Sequence, residues 1–330
     1  MLQLTNNTPF SANIVTFPNE QGIDSLFVIV KATFIMGQKW SLADEQTPPQ
    51  KADEYWGEPG LSSIKALSDF HIGKVSTDIL MFGNACAPNH QSVSQLDVHL
   101  TVGQVQKTVR VFGDRQWQNG LPSRPIPFQS MPVVYERAFG GQYQVDESPL
   151  TAEERNLVGT GFAGKRSKTE MDGVALPNVE NPNELIQHIN DTPSPAGFSP
   201  TCSYWSPRNQ WAGTYDDIWQ ETRAPYLPKD FDKRFLNAAH PDLIYPAFIQ
   251  GGEPIIIKGM HPAGDINLSV PYVKISCNVK IKGKEIPINL NVDTLALHPN
   301  EQQLTMVWLA PFQCDKNLLN INEVELKLSR

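Results

Sequence analysis

No apolar run in this chain approaches the roughly 20 residues that a membrane-spanning helix requires. Its opening, MLQLTNNTPF, also lacks the basic segment followed by an apolar one that directs secretion. The cytoplasm is therefore the expected compartment. Cysteine is scarce as well: Cys86, Cys202, Cys277 and Cys314 stand far apart, without the close pairs of zinc sites or thioredoxin-like motifs. They are expected to be buried free thiols. Positive charge is in short supply, 27 Lys and Arg against 35 Asp and Glu, for a net charge of -8. Neither phosphate neutralisation nor attraction to anionic headgroups is supplied overall, which argues against a nucleic-acid or membrane-surface partner.

Familiar catalytic signatures are missing too. No G-x-S-x-G elbow presents a serine, and no Walker loop is present. The seven histidines, His71, His90, His99, His188, His240, His261 and His298, include no pair at the spacing of a metalloprotease helix. Gly159, Gly161 and Gly164 satisfy the letters of G-x-G-x-x-G. They lie between loops rather than between a strand and a helix, so their expected role is to permit positive φ in a tight turn. The adjacent acids Glu153 with Glu154 and Asp216 with Asp217 read as solvated surface. No metal and no cofactor is expected.

Sheet is what the chain has. Leu26 to Met36 reads as a core strand, with a turn at Gly37 to Lys39 into Trp40 to Leu42. Gln95 to Phe112 alternates apolar and polar across Gly103, the pattern of an antiparallel hairpin with one wet face. Strand patterns return at Pro254 to Met260, Ile266 to Val270, Val273 to Ile281, Ile286 to Val292, Thr305 to Leu309 and Val324 to Leu328. The expected fold is mainly β, with antiparallel sandwich-like or barrel-like sheets from the N- and C-terminal thirds, a long irregular middle and few short helices. Residues 1–112, 113–250 and 251–330 form three units on this reading, or one composite domain. Leu176 to Ile189 holds the best helical candidate, a short helix starting near Glu184 with Asn183 as its cap.

The irregular middle concentrates Arg, Trp, Tyr, Pro and Gly in two stretches, Gly113 to Gly141 and Tyr204 to Trp219. Prolines 122, 125, 127 and 132 forbid a long helix and interrupt any ladder. Irregular backbone without a ladder needs side-chain partners, and guanidinium stacking and pairing can provide them. The same residue types dominate binding hot spots. The candidates for structural or partner-binding roles are Arg115, Trp117, Tyr135, Glu136, Arg137, Trp205, Arg208, Trp211, Tyr215 and Trp219. Of these, Arg137 and Arg208 are expected to hold buried charge partners.

Taken in order, several stretches resemble a bacterial family associated with type VI secretion and encoded beside VgrG spike, PAAR-tip or toxin genes. They begin with TPF at Thr8, VKATF at Val30, FGNACAP at Phe82 and VFGDRQW at Val111. MPVVYERAFGG at Met131, LPN at Leu176 and WSPRNQWAGTYDDIW at Trp205 follow. HPD at His240, GGEP at Gly251 and VDTLALHPNEQQLTMVW at Val292 complete the set, which covers nearly the whole chain. One departure lies just before Val158-Gly159, where the family pattern favours Asn-Pro. The resemblance implies a non-enzymatic adaptor or chaperone whose partner is a secreted effector, a toxin loaded onto the VgrG or PAAR spike; it supplies no catalytic residues. The alternatives are a hydrolytic, for example carbohydrate-active, enzyme with its site in the middle loops, and a structural component of the spike.

Overall fold

A computed structural model describes residues 2–329. Its longest strand, Asp24–Ile35, carries the apolar run that begins at Leu26. Period two sends its side chains to two cores. Leu26, Val28, Val30, Ala32 and Phe34 enter the main core, while Phe27 and Ile29 pack with Ile72, Val307 and Leu309 on the other face. Burial on both faces explains why this strand reads as a continuous apolar run rather than an alternation. The short strand Ser41–Leu42 folds back on its end, giving the turn expected at Gly37 to Lys39.

This strand lies inside a sheet ordered Ser11–Pro18, Asp24–Ile35, Gln303–Gln313, Asn291–His298, Asp78–Met81, antiparallel except for its last, parallel pair. A second sheet runs Val179–Glu180, Val105–Phe112, Gln95–Val102, Pro254–Lys258, Ile266–Ser269, all antiparallel. Its central hairpin has the register the alternation requires, with Val102 opposite Val105 and Leu96 opposite Val111. A third sheet joins Gln3–Asn7 in parallel to Ile321–Leu328, then continues to Ile275–Ile281 and Lys284–Ile288. The apolar faces of all three meet in one core. The protein is thus mainly β with sandwich-like sheets, and among the described residues none closes into a barrel.

Three expectations require correction. Leu176 to Ile189 is not helical: the Glu180 carboxylate takes the N–H of Ile186, and Asp191 takes those of Gln187 and His188, so side chains satisfy donors that a helix would have used. Ile286 to Val292 is two strands, Lys284–Ile288 and Asn291–His298, which belong to different sheets. Cys86 is half-buried, whereas Cys202, Cys277 and Cys314 are buried; all four are free. In the glycine-rich stretch Gly161 and Gly164 take the expected positive φ, 91° and 59°, but Gly159 does not, and Thr160–Gly161 pairs in parallel with Phe139–Gly140 rather than lying wholly in a loop.

A buried ion cluster braces the parallel pair at the sheet's end. Lys74 Nζ lies 2.9 Å from Asp78 and 3.3 Å from Asp293, and it donates to Thr294 Oγ1 at 2.6 Å. His71 Nε2 stands 3.3 Å from the same Asp293 oxygen, Oδ1, that faces the Lys74 ammonium. Burial alone would lower the Lys74 pKa, but the two carboxylates more than offset it and the net shift is upward. Burial likewise works to raise Asp293, and His71 and Lys74 together hold it well below the usual carboxylate range. A depressed carboxyl contributes stability above its unfolded value, about 4, that is lost as pH falls through the folded value. A raised ammonium contributes below about 10.4 and loses it as pH rises through the folded value. Replacing Lys74 by Met strands two carboxylates and should cost about 3–5 kcal/mol. Urea unfolding at pH 7 checks this, and an unchanged midpoint would refute the bracing role.

Candidate partner-binding cleft

The two arginine- and tryptophan-rich stretches meet edge to face. Tyr135 and Trp205, both fully buried, have ring centroids 5.3 Å apart and planes at 84°. Burial raises the Tyr135 pKa far above its ordinary value. Trp117 lies in a separate small core with Phe139, Met171, Leu176 and Ile186. Above it Arg115 stacks on Phe112 at 3.7 Å, donates to Pro177 O at 2.7 Å and pairs with buried Glu180. Burial pushes the Glu180 carboxyl up, and Arg115 and the Ile186 N–H only partly pull it back.

The arginines differ in depth from the expectation. Arg208 is buried, but its partners are neutral: it donates to Phe235 O at 2.8 Å and to Thr201 O at 2.6 Å, over the Phe235 ring. Its pKa falls because of that burial. The side chain of Arg137 is 37% exposed, with one bond to Asn178 Oδ1 at 2.8 Å and a long contact to exposed Asp114 at 3.5 Å. It is therefore no buried ion pair. Of the paired acids only Glu153 departs from the expectation, buried against Arg155; Glu154, Asp216 and Asp217 are exposed, and Asp216 also caps the helix Asp217–Thr222. Half-buried Trp211 lies under Arg234. Tyr215 packs on Trp219 at 4.7 Å, and Trp219 Nε1 donates to Tyr226 O. Of this pair Trp219 sits on the helix Asp217–Thr222, which has no buried residue, and exposed Tyr215 just precedes it.

Glu136 and Arg137 reach a cleft of about 740 Å³. Four chain segments build it. The hairpin of Glu54–Tyr55 with Ile64–Ala66 brings Trp56 and Lys65; Trp56 is 53% exposed, with the Lys65 ammonium 5.6 Å from its ring centroid. Phe82 follows the strand Asp78–Met81 and stacks on His298 at 5.0 Å and 11°. Pro132 and Val134 supply further apolar wall before the turn Tyr135–Arg137.

Polar bonds hold these walls in place. Glu136 accepts the Ser63 N–H at 2.7 Å and the Ser63 hydroxyl at 2.8 Å, fastening the hairpin to the turn. Asn300 accepts the Asn84 N–H at 2.6 Å and donates to Met260 O at 2.7 Å. Gly83 must be glycine here: its φ is 131°, and a Cβ would lie 2.1 Å from Asn300 Oδ1. Burial lowers the His298 pKa despite Glu301 at 3.7 Å, which favours a neutral ring on Phe82.

Sequence reasoning singled out Glu136 and Arg137 but missed Trp56, Lys65, Phe82, His298 and Glu301 as parts of one site. A usable signal existed for three of them. Phe82 opens FGNACAP, and His298 and Glu301 lie in the HPNEQQ portion of another stretch carrying the resemblance. Trp56 stands alone in a polar loop and gave none.

These depths rank the arginines by stability. Arg115→Ala orphans the buried Glu180 carboxylate and should cost about 3–5 kcal/mol, whereas Arg137→Ala should cost no more than about 1 kcal/mol. Parallel denaturant melts of the two variants decide the order, and equal losses would refute it.

Comparison with curated proteins and with solved structures gives no match. A family model does match residues 21–309, spanning all four walls of the cleft and both aromatic stretches. The chain belongs to the family described as uncharacterized protein conserved in bacteria, DUF2169.

Proposed function

We propose that this protein is a non-enzymatic adaptor or chaperone that grips a segment of a partner protein in the cleft beside Arg137. The partner on this reading is a type VI secretion effector, and the purpose is its delivery to the VgrG or PAAR spike in the cytoplasm. The secretion context rests on the ordered stretches that resemble that family. The binding mode rests on one observation, an apolar cleft walled by Trp56, Phe82, Pro132 and Val134 and edged by a few charges.

That arrangement suits an apolar side chain better than a polar small molecule. Exposed aromatics beside a recess act as anchors, and surrounding polar groups exclude water and set orientation. Its volume lies within the range of ordinary ligand sites. The carboxylate of Glu136 is engaged by Ser63, and Glu301 faces His298. Because the walls are already bonded together, little ordering cost remains for the moment of binding.

Co-expression with type VI secretion effectors from the same genome tests the proposal. A soluble, specific complex is expected. Trp56→Ala should weaken it by at least about tenfold while leaving the melting temperature within about 2 °C, because the ring is half in solvent. A set in which no effector binds or gains solubility would overturn the adaptor reading. A complex indifferent to Trp56 would move the interface away from the cleft.

A further inference from the structure

We infer that the segment seated in this cleft carries a carboxylate next to its apolar anchor, an Asp or Glu received by Lys65 and Arg137. The inference rests on the proposed use of the cleft and concerns the chemistry it selects.

Four charged side chains border the cleft, and their remaining capacity is unequal. Both oxygens of Glu136 are engaged by Ser63, one by the backbone N–H and one by the hydroxyl. Releasing either would loosen the hairpin that carries Trp56. Glu301 faces the His298 imidazole from a side chain 70% exposed, where water screens it. The cations are less committed. Lys65 lies against the Trp56 ring and makes no ion pair among the described residues. Arg137 uses only Nη1, toward Asn178 and, weakly, Asp114. Its Nε and Nη2 donate to no group among the described residues.

The free edge of a guanidinium presents parallel N–H donors in the geometry that one carboxylate accepts with both oxygens. Lys65 adds a mobile point charge from the neighbouring element. These elements are fixed to each other, because Glu136 and Ser63 join the turn Tyr135–Arg137 to the hairpin. A basic segment would find two cations and only the screened Glu301. A neutral segment would fill the apolar wall and leave the Arg137 edge to water. An acidic residue beside the apolar anchor uses both features, so charge complementarity favours it and also speeds encounter.

A displayed library of random 12-residue peptides, selected on the purified protein, tests this. Peptides that also bind the Trp56→Ala variant are discarded, leaving those that depend on the cleft. These are expected to carry Asp or Glu within about three residues of Leu, Ile, Phe or Trp. Their affinity should fall at least about tenfold in the Lys65→Glu, Arg137→Glu double variant and fall again as salt is raised. Lys65→Glu alone, at an exposed position, should give a partial loss without affecting folding, and circular dichroism of both variants confirms the fold. Cleft-dependent peptides that are neutral or basic, or acidic ones indifferent to the charge reversal, would overturn this inference while leaving the cleft as the binding site. Finding no Trp56-dependent peptide would overturn both.

Discussion

Residues 25–35 and 303–313 pair along eleven consecutive positions, and almost the whole chain leaves and returns between them. This ladder joins the two ends in the middle of the largest sheet, where the Asp24–Ile35 strand is shielded on both faces. Closing so long a loop is less costly than it looks, since each doubling of length adds only about 0.6 kcal/mol. The greater consequence is topological. Asn291–His298 and Asp78–Met81 extend that sheet, while Pro254–Lys258 crosses to the hairpin of the second sheet. Strands from both ends therefore contribute to every large sheet, and the middle wraps over a framework built from distant parts.

That wrapping changes how backbone groups are satisfied. Residues 113–250 contribute only one short strand, Val179–Glu180, to the large sheets, so their buried donors and acceptors need other partners. Asn156 donates to the carbonyls of Tyr135 and Phe139, Arg115 to that of Pro177, and Arg208 to those of Thr201 and Phe235. Carboxylates serve the N–H groups, as Glu180 does for Ile186. Long side chains replace the regular ladder, which gives the concentration of arginine a structural cause before any binding role is invoked.

Local periodicity made much of the sheet legible. The alternation from Gln95 to Phe112 specifies both the hairpin and its register, and the apolar run at Leu26 specifies a strand buried twice. Long-range satisfaction was not legible. The stretch from Glu184 to Ile189 has a good cap residue in Asn183, yet Glu180 and Asp191 divert its donors. Arg115 and Arg137 look alike in sequence; Glu180, 65 residues from Arg115, makes one a buried ion pair, while Arg137 meets a neutral amide and an exposed acid. Only Glu136 and Arg137 were singled out from the cleft; Phe82 and His298 stood in stretches that carry the resemblance and Trp56 in none, and that the three meet depends on the sheet order.

Tyr135, Glu136 and Arg137 connect the framework to the cleft because three consecutive residues have three different destinations. Tyr135 points inward onto Trp205, Glu136 across to Ser63, and Arg137 toward the open wall. Fixing the first two limits the backbone freedom of the third, so the position of the guanidinium is set by folding. The core contact of Tyr135 and the clamp of Glu136 therefore bear on recognition without either side chain having to touch a partner. A site arranged this way loses little conformational entropy on binding. It also ties the two roles first weighed for these residues together, since the scaffold is what orients the exposed arginine.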